Sequence, residues 1–258
     1  MESKTFEFNG GYAKIVAGSQ CSLTGTRLTT YEVSFPRIIL AEMNTHKMIS
    51  KNGASSRAIP LAKAMEYINS RPFIPSYVGM NQPGMQAAQS VDEETLGQFL
   101  MLWNEHRDMT LEYVKKFDAL KIHKQIAARP LETHSFMKMV ISGTEWNNFF
   151  ALRDHPAAQP EFRDLARAMR LAQEDYEDKY TVLRQGSWHT PYYEDGCWEP
   201  DLDPERYAGV GPHNGKDYVV DFYGNTLEEA LKISASCCAQ TSYRTTNASL
   251  EKAEDIIS

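Results

Sequence analysis

Apolar and polar residues alternate over residues 11–35, as in strands with one buried face. Two runs, "YAKIVAG" and "RLTTYEVSF", are joined by the turn-rich "SQCSLTGT", and Tyr31, Val33 and Phe35 mark the buried face of the second. Pro36 suits the first turn of a helix, and "RIILAEMNTHK" continues at helical spacing through Met43. Gly53, Ser55 and Ser56 break that pattern, and a new helix is expected from "SRAIPLAKAMEYI". Residues 71–89, punctuated by Pro and Gly, read as loop. Ser90 and Glu93 form a capping box before a long helix. Leu96, Phe99, Leu100, Trp103, Met109, Leu111 and Val114 make its apolar side.

A further helix is expected over residues 121–132, a short strand over 135–142 and a helix from 144 to 153. The residues "DHPAAQ" interrupt it, and Pro160 opens another helix to about Arg184, with Gly186 just past its end. Residues 186–225 are rich in loop residues, with one strand over "KDYVVDFYG". Thr226 and Glu229 form a second capping box, and the chain from 226 to 258 is helical.

Composition narrows the function. The chain has 258 residues, 42% hydrophobic and 24% charged, which is ordinary for a globular protein. The length suits one large domain or two small ones. A net charge of -7 argues against a global electrostatic grip on nucleic acid, though not against a local basic pocket. No apolar run is long enough for a membrane span, and the N-terminus lacks the apolar region of a secretory signal. Cys21, Cys197, Cys237 and Cys238 have no metal-type spacing and read as reduced thiols of a cytoplasmic protein.

Two stretches carry candidate chemistry. In "THKMISKNGASSR", Ser55, Ser56 and Arg57 sit where the next helix is expected to begin. Backbone N–H groups, a helix dipole and a bidentate guanidinium there would cradle a phosphate. The competing reading is an N-cap beside a surface charge, with His46 a packing or capping histidine. In "NFFALRDHPAAQPEF", Asn148 and Arg153 bracket aromatic residues and could face a flat heteroaromatic ring. The competing reading is a core helix ending on a basic residue. The chain has no Gly-x-Ser-x-Gly elbow, Walker A loop, dinucleotide glycine fingerprint or His-Glu-x-x-His.

Together these stretches resemble the flavin-dependent thymidylate synthases. The family signature runs Arg-His-Arg, two residues, Ser, any, Asn, Glu, any, Ser, any, Arg, and His46, Ser50, Asn52, Ser55 and Arg57 match it in register. The family's Asn-Phe-x-x-x-Arg followed by Ala-Gln-x-Glu matches through Asn148, Arg153, Gln159 and Glu161. Two flavin-contacting segments that usually precede the signature have late counterparts here, "WHTPYY" from Trp188 and "CAQTSY" from Cys238. The order is rearranged, as in divergent phage-type members, and Thr190 and Ser242 are the implied flavin contacts.

The resemblance implies one α+β domain with a central antiparallel or mixed sheet flanked by long helices. It implies reductive methylation of dUMP at uracil C5, with methylenetetrahydrofolate as carbon donor, FAD as hydride carrier, NADPH as reductant and no enzyme nucleophile. Arg153 would lie at the uracil–flavin contact, and His46, Lys47 and Asn148 on the flavin. Ser55, Ser56 and Arg57 would hold the nucleotide phosphate, with Glu42 and Arg129 on the nucleotide side. Sites would be shared within a homotetramer. The chain departs from the family at Thr45 and Lys47 in place of arginines and at Gly53 in place of Glu. Glu42, Ile126, Ser142 and Thr144 depart as well. Lys does not replace Arg at a bidentate site. The departures keep open a UMP methylase, a uracil-nucleotide hydroxymethylase and a non-catalytic nucleotide-binding relative.

Overall fold

In the computed structural model, residues 3–202, 219–241 and 246–257 are described. Strands β1 (Phe6–Phe8), β2 (Gly11–Cys21), β3 (Arg27–Pro36), β4 (Ser50–Gly53) and β5 (Phe136–Gly143) form an antiparallel sheet in the order β1-β2-β3-β5-β4. Strand β6 (Thr181–Leu183) adds in parallel along β2, so the sheet is mixed. Short β7 (Trp188–His189) and β8 (Cys197–Trp198) pair with each other in the loop-rich region. The helices are α1 (Leu40–Met43), α2 (Leu61–Ser70), α3 (Glu93–Ala119), α4 (Lys124–Ala127), α5 (Asn147–Arg153), α6 (Pro160–Asp175), α7 (Leu227–Thr241) and α8 (Leu250–Ile257). The architecture is α+β, as expected.

Side chains on a strand alternate between faces, and here the two faces differ in chemistry. Tyr31, Val33 and Phe35 of β3 join Met137, Met139 and Ile141 of β5 in one core, closed by Phe149 of α5 and by Phe162, Leu165 and Met169 of α6. The opposite face carries Thr30, Glu32 and Ser34, which are also buried. β3 is therefore covered on both sides. A bulge between Ile15 and Ala17 switches the faces of β2. Beyond it Gly18 lies under α6, and a Cβ there would stand 2.4 Å from Tyr176 Cε1. Gly18→Ala should therefore cost about 1–3 kcal/mol of stability, read from urea unfolding. An unchanged midpoint would mean Tyr176 moves freely.

Several boundaries differ from expectation. Helix α2 begins at Leu61 after Pro60, not at Ser56, because residues 55–58 form a turn. The expected helix dipole is therefore absent from the Ser55–Arg57 cradle. Gly53, expected to break a helix, instead ends edge strand β4, where it fits because a Cβ would meet the Met139 methyl at 2.9 Å. Asp92, not Ser90, caps α3, its carboxylate accepting from Thr95 N at 2.7 Å. Met109 is 51% exposed and leaves the apolar side of α3, where Thr110 is buried instead.

The helix over residues 121–132 splits into α4 and a 3₁₀ turn, Arg129–His134, since Pro130 removes an N–H donor. Helix α6 ends at Asp175 rather than near Arg184, because Thr181–Leu183 must extend to pair with β2. The strand expected over 216–224 is an isolated bridge, Val220 to Thr226, and a turn, with 216–218 outside the described residues. The Thr226–Glu229 capping box forms, Thr226 N donating to Glu229 Oε2 at 2.7 Å and Glu229 N to Thr226 Oγ1 at 3.3 Å.

Candidate active site

The two sequence motifs meet on the α5–α6 side of the sheet. Trp146 anchors the start of α5 by donating Nε1–H to Gly143 O at 3.0 Å and packing edge-on against Tyr31. Phe149 then points into the core, and Arg153, one turn later on the same helix face, ends the helix. The Arg153 Nε–H donates to His46 Nε2 at 2.9 Å, and Nη1 donates to Glu42 Oε2 at 3.0 Å. The guanidinium lies over the Phe162 ring, 4.6 Å from its centroid. One planar cation thus joins α1, the following turn, α5 and α6.

His46 sits edge-on to Phe149 and Phe162, with ring centroids at 5.0 and 5.8 Å. Burial lowers its pKa first, and the neighbouring Arg153 and Lys51 charges lower it further. The imidazole is therefore neutral near pH 7, and since Nε2 accepts from Arg153, its proton resides on Nδ1. The loop that presents His46 is held from within. Thr45 Oγ1 donates to Glu42 O at 2.7 Å, while the Lys51 ammonium donates to His46 O and, at 2.9 Å, to Ile49 O. Thr45, where the family has an arginine, here serves the loop itself. Burial, then the nearby Lys47 charge, lowers the Lys51 pKa.

The other expected site residues are spread more widely. Lys47 and Asn148 are exposed beside the cluster in sequence, and their side chains make no hydrogen bond to a described residue. Ser55 and Arg57 are exposed in the turn before α2, where Ser55 Oγ accepts from Arg57 N at 3.3 Å. Ser56 lines a cleft on the opposite face of the sheet. Arg129 is committed to Gln125 O and to Glu132 at 2.9 Å. Thr190 is fully buried, and its hydroxyl has no hydrogen-bond partner among the described residues. Ser242 lies outside the described residues. Among the described residues, no hydrogen bond or ion pair joins Ser55, Ser56, Arg57, Arg129 or Thr190 to the Arg153 cluster.

Sequence reasoning missed Lys51, which shapes the loop, and Phe162, which carries the guanidinium. The second was within reach, since it directly follows the matched Glu161. It also passed over His189. That ring bridges Ser19 Oγ and Thr30 Oγ1, each at 2.8 Å, and Thr30 Oγ1 bonds Ser142 Oγ at 2.7 Å. Ser142, where the family often has an Asn near flavin, is thus tied into the polar face of the sheet.

A profile of the family described as thymidylate synthase complementing protein matches residues 15–174. Among solved structures, the fold is similar to that of the UMP/dUMP methylase PolB from Streptomyces cacaoi bound with 5-Br UMP, with a TM-score of 0.53 and 14% identity. That alignment covers 64% of this chain and 89% of the other. The same methylase bound with 5-Br dUMP aligns with a TM-score of 0.46 and 14% identity, over 59% of this chain and 72% of the other. A search of curated proteins finds no match. The profile spans more than half of the sequence, from β2 through α6, and takes in both motifs that meet at Arg153. The chain belongs to the thymidylate synthase complementing protein family, the flavin-dependent thymidylate synthases, and is a methyltransferase-type enzyme.

Proposed function

We propose that this enzyme methylates a uracil nucleotide, dUMP or UMP, at C5, using FAD, NADPH and methylenetetrahydrofolate. The observation that carries the reading is the Arg153 guanidinium, held by neutral His46 and by Glu42 at the meeting point of the two family motifs. Its side chain is only 22% exposed, yet Nη2 has no hydrogen-bond partner among the described residues and remains available to a ring carbonyl. A partly desolvated guanidinium stabilises negative charge developing on that carbonyl far better than water does. The Phe162 face beneath it suits a stacked planar ligand.

The residues present fit a flavin. His46 offers a neutral imidazole, and Asn148 and Lys47 offer exposed polar groups without a described partner. Bound reduced FAD would supply the hydride, while the protein positions and polarises the uracil. Ser55 and Arg57 are exposed and free of the Arg153 cluster. That separation supports a site completed between protomers of a homotetramer, with Arg57 and Arg129 of one protomer serving the nucleotide of another. Thr190 and Ser242 complete the flavin side in this reading, with the Thr190 hydroxyl lacking a hydrogen-bond partner among the described residues. The four cysteines are unbridged, which suits the cytoplasm. No helix among the described residues is long and apolar enough to cross a membrane.

Purified protein should show the visible absorbance of bound flavin, or gain it when FAD is added. UMP or dUMP should then perturb that spectrum. Protein that takes up no FAD would contradict the reading.

A further inference from the structure

The loop that presents His46 hangs between two elements of four residues each, α1 and β4. Main-chain bonds hold its first turn, Asn44 N donating to Leu40 O at 3.0 Å and Thr45 N to Glu42 O at 2.9 Å. They then lengthen, to 3.3 Å from His46 N to Met43 O and 3.4 Å from Ile49 N to His46 O. Carbonyls at the end of a helical run lack main-chain donors and carry partial negative charge, so a cation placed there is favourable.

Lys51 is that cation. Its backbone pairs with fully buried Ile141 of β5, so the sheet fixes where its side chain starts. The side chain folds back over the loop, and the ammonium donates to both His46 O and Ile49 O. Ile49 is itself part of the main core. Among the described residues, no carboxylate lies within ion-pair distance of Lys51. The bland alternative is a solvated lysine on an edge strand. Such a side chain keeps its rotamer freedom and its water. This one gives up both for two backbone carbonyls, which is favourable only where charge-assisted bonds hold the loop in one shape.

The groups around His46 come from every neighbouring element. Helix α5 brings Arg153, with Glu42 of α1 on another edge of the same guanidinium. Strand β4 brings Lys51, and Lys47 follows in the loop itself. Helix α6 brings the Phe162 ring, while Glu161 beside it accepts from Gln159 at 3.1 Å. After burial, the Arg153 and Lys51 charges are what disfavour a proton on the ring. A protonated imidazole has no lone pair left to accept from Arg153.

We propose that Lys51 is a positioning residue for the Arg153 centre, its ammonium locking the loop so that His46 Nε2 stays an acceptor and holds the guanidinium in place. Lys51 stands between the matched Ser50 and Asn52, where the family signature takes any residue. Its effect on rate rests on the reading of Arg153, and its effect on His46 does not.

The test is the ring titration of His46 in the full chain, followed by heteronuclear NMR and assigned with His46→Gln. Wild type should show the Nδ1–H tautomer and titrate below an ordinary histidine. Lys51→Met should move the titration to higher pH, because a positive neighbour is lost. Lys51→Arg keeps the charge and the donors and should leave it in place. If Lys51→Met does not fold, the wild-type ammonium decides. Its protons should exchange with water slowly enough to be seen at low temperature, unlike those of a solvated lysine. In methylation assays Lys51→Met should lower kcat/KM at neutral pH about tenfold, as for one lost charge-assisted bond. The acid limb of its pH profile should move to higher pH, and Lys51→Arg should restore both. The titration needs no turnover, so it decides the role of Lys51 whether or not wild type methylates. An unmoved His46 titration in folded Lys51→Met, a fast-exchanging Lys51 ammonium, or a loss of rate with an unmoved acid limb would overturn the proposal.

Discussion

Arg153→Ala is expected to lower kcat/KM for uracil-nucleotide methylation by about 10²–10³-fold, the loss typical when one preorganised donor to a developing oxyanion is removed. Three features of the structure make Arg153 more than a surface cation. It is anchored by His46 at 2.9 Å and Glu42 at 3.0 Å, it lies over Phe162, and it ends a helix whose start is pinned by Trp146. Its orientation is therefore fixed before any ligand arrives. Arg153→Lys should recover little activity, because an ammonium cannot reach His46 and Glu42 together in a planar fork. Glu42→Gln keeps a hydrogen-bond acceptor and should fall between wild type and Arg153→Ala. Steady-state kinetics on variants with unchanged melting temperature provide the check. A loss below about threefold for Arg153→Ala would remove this residue from the reaction.

The second large effect is on stability in acid. Burial lowers the pKa of His189 from 6.5 to about 4 and that of His134 to about 4, the latter helped by the neighbouring His106 and Arg107 charges. His134 is 1% exposed, and its Nε2 meets His106 Nδ1 at 2.7 Å. For both rings the folded-state pKa lies below the unfolded one, so the unfolded chain takes up protons first as pH drops. Their contribution is thus fully present above about pH 6.5 and is lost as pH falls from there through about 4. Each ring accounts for a loss of about 3 kcal/mol over that window. Urea unfolding followed from neutral pH downward should show this decline, and His189→Gln should flatten it. A stability profile level between neutral pH and about pH 4.5 would mean that these rings are not buried neutral.

The local grammar of the chain made much of the fold legible. β2, β3 and β5 follow from alternation, and the Thr226–Glu229 box forms as its spacing predicts. What escaped depends on distant partners. β4 and β6 are three- or four-residue strands that exist only because β5 and β2 lie beside them. Asp92 caps α3 because its carboxylate reaches Thr95 N, whereas spacing alone points to Ser90.

The site divides in the same way. Resemblance singled out His46, Arg153 and Glu42, and the structure brings these three together. The serines before an apolar periodic run suggest a helix start at Ser55–Arg57, but Pro60 sets the true start. The cations of the cleft that Ser56 lines were not legible at all. Lys63 and Arg71 lie two turns apart on α2 and at its end, and Lys138, far along the chain, lines the same cleft only because the fold brings β5 beside them.

The most direct test of the account is the mass of the nucleotide recovered after incubating the enzyme with FAD, NADPH, methylenetetrahydrofolate and either UMP or dUMP. The predicted result is a product heavier by one methylene, methylated at C5, formed by wild type and absent with Arg153→Ala. Unchanged nucleotide under reducing conditions with bound flavin, or a hydroxymethyl product in its place, would contradict it.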